Sequence, residues 1–288
     1  MNPFAGGFDG MEPCWNSSTC PYSAHDFLLF DNAPEPPPLE QVRGSVLLLA
    51  GSSGHGKSVY GHRLLHEYGA QGMKPFDLLG EGPFQQCLAR RRQVLLKLRS
   101  KNGPLDEEDM ANAQVDDAGW AAKLRSVMCG AGGELIVRLP CIMQDTSDAE
   151  ARISWEILQY AMAAQRSRSV FIYEYNARAW PGDWEKLRKE IELSRDVKVR
   201  ICVVAPVTPN ELWTYVKGVM DSSPHKQITL DTDVTEWLKY IFGQCSLHPQ
   251  SVHGLMCRIF DNAIAEQSPK VTLNHLMPEV IRIGGEAA

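Results

Sequence analysis

The sequence predicts an α/β fold: a parallel sheet with helices on both faces, followed by a small C-terminal helical lid. Three observations predict it. Short, predominantly apolar runs at 46–50, 135–139, 170–173 and 199–205 alternate with longer stretches of helical period. Strands that are apolar at every position are buried on both faces, as parallel strands under crossover helices are. A glycine-rich octapeptide at 51–58 joins the first such run to the first helical stretch. Beyond residue 231 the strands cease and amphipathic stripes take over.

Taken in order, residues 1–43 read as an N-terminal arm. They carry Gly6, Gly7 and Gly10 and end in Pro34-Glu35-Pro36-Pro37-Pro38, a stiff extended connector that neither helix nor central strand accepts. Phe4, Phe8, Trp15, Tyr22 and Phe27 to Phe30 predict that this arm packs on its own domain or a neighbour. The first strand leads through the octapeptide into a helix over 59–68. Residues 71–133 read as a helical insertion. Phe84, Cys87, Leu88, Val94, Leu95 and Leu98 mark its first helix, residues 117–128 a second, and Gly130 to Gly133 close it. Strand, helix and strand then follow at 134–139, 148–166 and 170–173, with Ser147 or Asp148 as the helix cap. A charged helix over 183–194, a strand over 199–205, a helix over 209–219 with proline in its first turn, and a final strand over 227–230 complete a domain spanning 44–231. Residues 232–288 form the lid. Val234, Trp237, Leu238, Ile241 and Phe242 make one stripe, Val252 to Ala263 a second, and 273–281 a short third helix.

The octapeptide Gly51-Ser52-Ser53-Gly54-His55-Gly56-Lys57-Ser58 fits G-x-x-x-x-G-K-[ST], and it sits between strand and helix as that pattern requires. Glycines let the backbone curl until successive N–H groups converge on phosphate oxygens, and the helix that starts with Lys57, Ser58 and Val59 adds its N-terminal dipole. Lys57 would reach the β- and γ-phosphates of ATP, and the Ser58 hydroxyl would hold Mg²⁺. His55 reads as a surface imidazole near the phosphates. The third apolar run ends Tyr173-Glu174-Tyr175-Asn176. Nucleotide hydrolysis needs a carboxylate near the metal and another to polarise water. Tyr173 stands where an aspartate would be usual, so Glu174 is either the base without a metal partner or the metal partner without a base. Asp145 and Asp148 could supply the other carboxylate. Thr208 and Asn210, after the next strand, are positioned to sense a γ-phosphate, though turn chemistry explains them equally well.

A net charge of −6 excludes a generally basic nucleic-acid binder, no run is long and apolar enough to span a membrane, and the N-terminus lacks the features of a signal peptide. A cytoplasmic location is expected. Eight scattered cysteines read as reduced thiols, with Cys14, Cys20 and His25 a weak zinc cluster. Arg90, Arg91 and Arg92 with Lys97, Arg99 and Lys101 form a basic run over 90–101, either a solvated helix face or a nucleic-acid patch. Arg178, Arg188, Arg195 and Arg200 are potential arginine fingers.

The loop 51–58, the strand ending at Glu174, the strand–helix continuation to Ala205 and the helical tail together resemble the AAA+/STAND class of P-loop ATPases. Residues 242–250, with Pro249, look like the segment that opens that class's lid helix, although Leu247 stands where glycine is usual. Arg258 is the arginine on this helix, late for the usual contact with the γ-phosphate. The resemblance implies a three-layer ATPase that binds ATP and Mg²⁺ and acts as a nucleotide-dependent switch within a homo-oligomer or with a protein partner. Weak or regulated hydrolysis is expected from the incomplete acidic pair. A DNA-associated ATPase, a small-molecule kinase and a pseudo-ATPase scaffold are the alternatives.

Overall fold

The structure, a computed structural model, describes residues 34–51, 55–78, 87–100, 117–131, 133–139, 149–176, 189, 197–222, 228–244, 247 and 249–286. Of the readings above, the first 33 residues with their cysteine–histidine cluster, Phe84, Lys101, Asp145, Ser147 and Asp148, the arginines 178, 188 and 195, and the charged helix apart from Lys189 lie outside the described residues.

Among the described residues five strands make one parallel sheet: β1 (Ser45–Gly51), β2 (Lys74–Asp77), β3 (Leu135–Arg138), β4 (Val170–Asn176) and β5 (Lys198–Val203), in the spatial order β2-β3-β4-β1-β5. The loop strand β1 is therefore central, flanked by β4 and β5, with Leu49 opposite Glu174 and Leu48 opposite Tyr173. Because side chains alternate across a strand, each strand feeds two cores. Leu47, Leu49, Ile136, Val170 and Ile172 face α1 (Leu39–Val42) and α2 (Lys57–Ala70), where they meet Leu64, Leu65 and Tyr68. Val46, Leu48, Val137, Phe171 and Tyr173 face α3 (Cys87–Ser100), α4 (Asp117–Gly130) and α5 (Ala149–Ser167), where they meet Val94, Leu98, Trp120, Leu124, Ile157 and Tyr160.

Two sequence expectations change here. The stretch 71–133 opens with β2, an edge strand paired to β3, before its two helices begin. Lys74-Pro75-Phe76-Asp77 has no apolar run to announce it, because an edge strand is buried on one side only and tolerates proline. Leu230 and Thr229 do form a strand, β6, but not in the main sheet. It pairs with β7 (Lys270–Val271) in a separate two-stranded ribbon beside the C-terminal helices. The arm, for its part, is tied down from Pro37 onward: the Tyr68 hydroxyl donates to the Pro37 carbonyl at 2.7 Å, and Leu39 and Val42 are buried under the sheet.

The C-terminal core is built from α6 (Pro209–Ser222), α7 (Thr232–Gln244), α8 (Pro249–Ala265) and α9 (Leu273–Glu286). Leu212, Tyr215 and Val216 of α6 share it with Val234, Leu238, Phe242, Leu255, Ile259 and Phe260. The helix that follows β5 thus packs with the tail rather than on the sheet. Tyr215 also bonds His253 of α8, oxygen to Nδ1, at 2.6 Å.

Candidate functional site

The described ends of the loop lie where β1 leaves the sheet and α2 begins. Gly51 ends β1 at φ 151°, and a Cβ there would meet the Val204 carbonyl at 2.8 Å. Gly56 caps α2 in the left-handed region, at φ 90°, which an L side chain rarely adopts. These two glycines have conformational reasons to be glycine, whereas Ser52, Ser53 and Gly54 lie outside the described residues. His55 is half-buried beside Gly56, and Val59 sits in the first turn of α2. Lys57, almost fully buried, folds back so that its Nζ donates to the Gly51 carbonyl at 2.8 Å, spanning the loop.

The alternation along β4 sends Tyr173 and Glu174 to opposite faces of the sheet. Tyr173 points to the α5 side, buried against Tyr160, with the Arg90 guanidinium 4.7 Å above its ring. Glu174 points to the α2 side. Its Oε2 accepts from the Ser58 hydroxyl at 2.9 Å, so the carboxylate and the loop serine that sequence reasoning paired do meet.

Sequence reasoning missed the third member. Arg138, at the end of β3, donates from Nε to Glu174 Oε1 at 2.6 Å and from Nη1 to Asp77 Oδ2, on β2, at 3.2 Å. The three side chains are 1, 3 and 2 % exposed for Arg138, Glu174 and Asp77 respectively. A hydrogen-bonded chain Ser58–Glu174–Arg138–Asp77, half-buried at Ser58, thus runs across the ends of α2, β4, β3 and β2. The one signal available was an arginine at the end of an apolar strand, where a cation is out of place unless paired. Gly61 of α2 makes the room: a Cβ there would come within 3.1 Å of Arg138 Nε and 3.2 Å of Glu174 Oε1. Next to it, burial and then the Arg138 charge lower the His62 pKa to about 4, so this imidazole is neutral beside the ion pair at ordinary pH.

The remaining expectations fare unevenly. Thr208 is exposed and caps α6: its N–H donates to Glu211 Oε2 at 2.6 Å, and Glu211 N–H donates back to Thr208 Oγ1 at 3.3 Å. This reciprocal capping box, with Pro209 at the first helical position, is the turn chemistry that the sequence offered beside the phosphate-sensing reading of Thr208. Asn210 lies within the first turn of the same helix, its carbonyl accepting from Thr214. Arg258 is held by Glu279 of α9 at 2.6 Å, and Arg200 by Gln41 at 2.8 Å. In the basic run, Arg90 and Arg91 are 0 and 4 % exposed and converge on Glu156 of α5, which excludes them from a surface patch. Arg91 also stacks over Trp155 at 4.4 Å. Cys129, Cys202 and Cys257 are free thiols, with Cys202 buried, Cys257 half-buried and Cys129 exposed. Among these residues no cluster of His, Cys, Asp and Glu could hold a metal ion by itself, and no helix is long and apolar enough to cross a membrane.

No family model matches the sequence, and no curated protein matches it either. Solved structures do resemble it. Drosophila ORC bound to DNA superposes with a TM-score of 0.50 at 13% identity, covering 94% of this chain and 67% of that one. Cdc6p from Pyrobaculum aerophilum gives 0.54 at 14% identity, covering 85% and 67%. A STAND protein with a tetratricopeptide repeat sensor from Pyrococcus horikoshii gives 0.43 at 14% identity, covering 88% and 34%. Phosphate loop, strand order and the first two likenesses agree: the chain has the fold of the P-loop ATPases of the AAA+ class. At such identities the likeness speaks for the fold.

Proposed function

We propose that this protein binds ATP in the loop at 51–58 and works as a nucleotide-dependent switch with weak or regulated hydrolysis. The observation that carries the reading is the loop itself, with Gly56 in a left-handed conformation at the N-terminus of α2 and Lys57 stretched across to Gly51. These residues fit a triphosphate: a helix N-terminus opened by a left-handed glycine and a buried ammonium that can exchange a backbone carbonyl for a phosphate oxygen. Ser58 is the hydroxyl on hand for a phosphate-bound Mg²⁺. Glu174 does not fit as an anion that must draw the metal in, because Arg138 already balances its charge.

The same pair supports slow turnover. A general base needs a lone pair directed at water, whereas the two Glu174 oxygens serve Ser58 and Arg138. Catalysis would require that arginine to let go. The C-terminal helices α6 to α9, with their own core, are the segment through which nucleotide state would reach a partner or a second copy of the chain. A cytoplasmic, oligomeric protein is the setting this role implies.

Lys57→Ala should abolish ATP binding measured by titration calorimetry, with the melting temperature of the free protein little changed. Undiminished binding would sink the proposal. The kinase alternative predicts phosphate transfer to an acceptor in a panel with labelled ATP, and the switch reading predicts none. The DNA-associated alternative draws on the likeness to ORC, a protein seen bound to DNA, but in this chain it keeps only Arg92, Lys97 and Arg99 of the described basic run, since Arg90 and Arg91 are interior. Charge reversal at those three positions should leave any salt-dependent DNA binding intact if the run is only a solvated helix face.

A further inference from the structure

We infer that the outward face of α7 is a docking site for an arginine-bearing segment of another protein. Trp237 and Tyr240 are its stacking surface, and Asp233 and Glu236 are its counter-charge. The inference stands apart from the nucleotide reading of residues 51–58.

Residues three and four apart on a helix share a face, so 233, 236, 237 and 240 form one stripe of α7. Val234, Leu238, Ile241 and Phe242 are buried in the C-terminal core, which holds the helix with the first stripe outward. Trp237 is 41 % and Tyr240 60 % exposed, although each carries a large apolar ring. Their rings meet edge to face, with 5.7 Å between centroids and 82° between planes, and so form two walls of a corner. Asp233 and Glu236 are exposed on the same stripe, and among the described residues no hydrogen bond or ion pair engages either carboxylate. Lys239, the basic residue of this helix, is taken up by Trp213 of α6, with Nζ 5.3 Å from the ring centre.

Such a set suits a guanidinium. A planar cation stacks on an indole or phenol face while its N–H fork reaches carboxylates beside the ring. The interior of this same chain shows the arrangement completed. There Trp120 and Trp155 lie 5.9 Å apart, Arg91 packs over them at 5.6 and 4.4 Å, and its Nε is 4.0 Å from Glu156 Oε1. Trp155 and Glu156 are adjacent in sequence, as Glu236 and Trp237 are. On α7 the aromatic pair and the carboxylates recur, and no arginine of the described residues stacks on them. A partner would bring it.

Charge says that this partner is a different protein. A net charge of −6 opposes the approach of a second copy. Several of the chain's own accessible arginines are already paired: Arg43 with Glu134, Arg63 with Glu67, and Arg258 and Arg282 with Glu279. A basic segment of another protein meets neither obstacle, and the acidic stripe would speed its approach.

The test is fluorescence anisotropy of the full chain with two labelled peptides, one of four Gly-Arg repeats and one of four Gly-Lys repeats, at about physiological salt. The wild type should bind the arginine peptide, and more tightly than the lysine peptide. No binding, or equal or tighter binding of the lysine peptide, overturns the inference. Trp237→Ala/Tyr240→Ala and, separately, Asp233→Asn/Glu236→Gln should each weaken the arginine peptide at least about threefold. A smaller loss in a variant that melts like the wild type overturns it. The carboxylate variant touches only exposed, unpaired side chains, so it keeps the test open if loss of the two rings unfolds the tail. Glu35→Gln/Glu40→Gln removes the same charge elsewhere and should weaken binding less; an equal loss would mean that net charge alone draws the peptide. Light scattering of the chain by itself should give the same mass for the wild type and Trp237→Ala/Tyr240→Ala. A fall in mass would make this face an interface between copies and overturn its assignment to another protein.

Discussion

With one oxygen accepting from Ser58 and the other from Arg138, Glu174 is held in place by two elements at once, and Gly61 is what lets a third press on the pair. Gly61→Leu should therefore cost about 1–3 kcal/mol, the usual range for overpacking, although leucine is the better helix former. Urea denaturation would measure it; a stabilised variant would show that the clamp yields. His62 gives the same neighbourhood a pH signature. Its folded pKa of about 4 lies below the ordinary 6.5, so the unfolded chain takes up the proton first. Stability from this group is complete above pH 6.5 and drains away as pH falls towards 4, by a total on the order of 3 kcal/mol. Denaturation midpoints of the wild type and His62→Gln across that range should converge on the acid side. Parallel profiles would assign the acid sensitivity elsewhere.

Helices α3 and α5 are joined by a charge inside their packing. Arg90 Nη2 lies 2.8 Å from Glu156 Oε1, and neither side chain is exposed. Burial works against the Arg90 charge, but Glu156 more than restores it, leaving the guanidinium more basic than usual. Trp120 fixes the local register by donating from Nε1 to the Arg91 carbonyl at 2.9 Å. Arg90→Met alone strands a buried carboxylate and should destabilise the protein by about 3–5 kcal/mol, whereas Arg90→Met with Glu156→Leu should recover most of that loss. Thermal melts of the three variants decide it, and an additive double variant would mean that the pair is not coupled. The basic run reads as a surface feature in the sequence because spacing marks a helix face without saying what that face meets. The partner, Glu156, is 66 residues away.

For the molecule as a whole, the boundary between the two cores falls before α6, since among the described residues Leu212, Tyr215 and Val216 cluster with the tail helices. A chain ending at residue 231, where the strand pattern stops, would leave that apolar face of α6 bare. One ending at 207 would not. The shorter truncation should be the more soluble and the less prone to self-associate by light scattering; the reverse order would show that α6 belongs to the sheet. Nucleotide should act on the intact chain through mass action, raising its stability by about 2.7 kcal/mol at a ligand concentration a hundred times the dissociation constant.

What the sequence determined by itself is what short-range chemistry encodes. Residues 51–58 declare a phosphate loop because glycine at Gly56 and lysine and serine after it are demanded locally. The strands β1, β3 and β4 are legible because strands covered on both faces are largely apolar, and β5, at the sheet edge, keeps enough apolar residues to read as a strand. The tail helices announce themselves by their stripes. Tertiary structure decided everything that depends on which distant residues meet. It made β2 an edge strand without an apolar run, and it set β6 against β7 rather than in the sheet. It turned Thr208 into a helix cap, and it put Arg90 and Arg91 indoors. Above all it chose the face of β4 on which Glu174 lies and brought Arg138 to it across 36 residues. Alternation along a strand says that neighbours point opposite ways. Only the packing of α2 on one side and α5 on the other says which of them meets the loop.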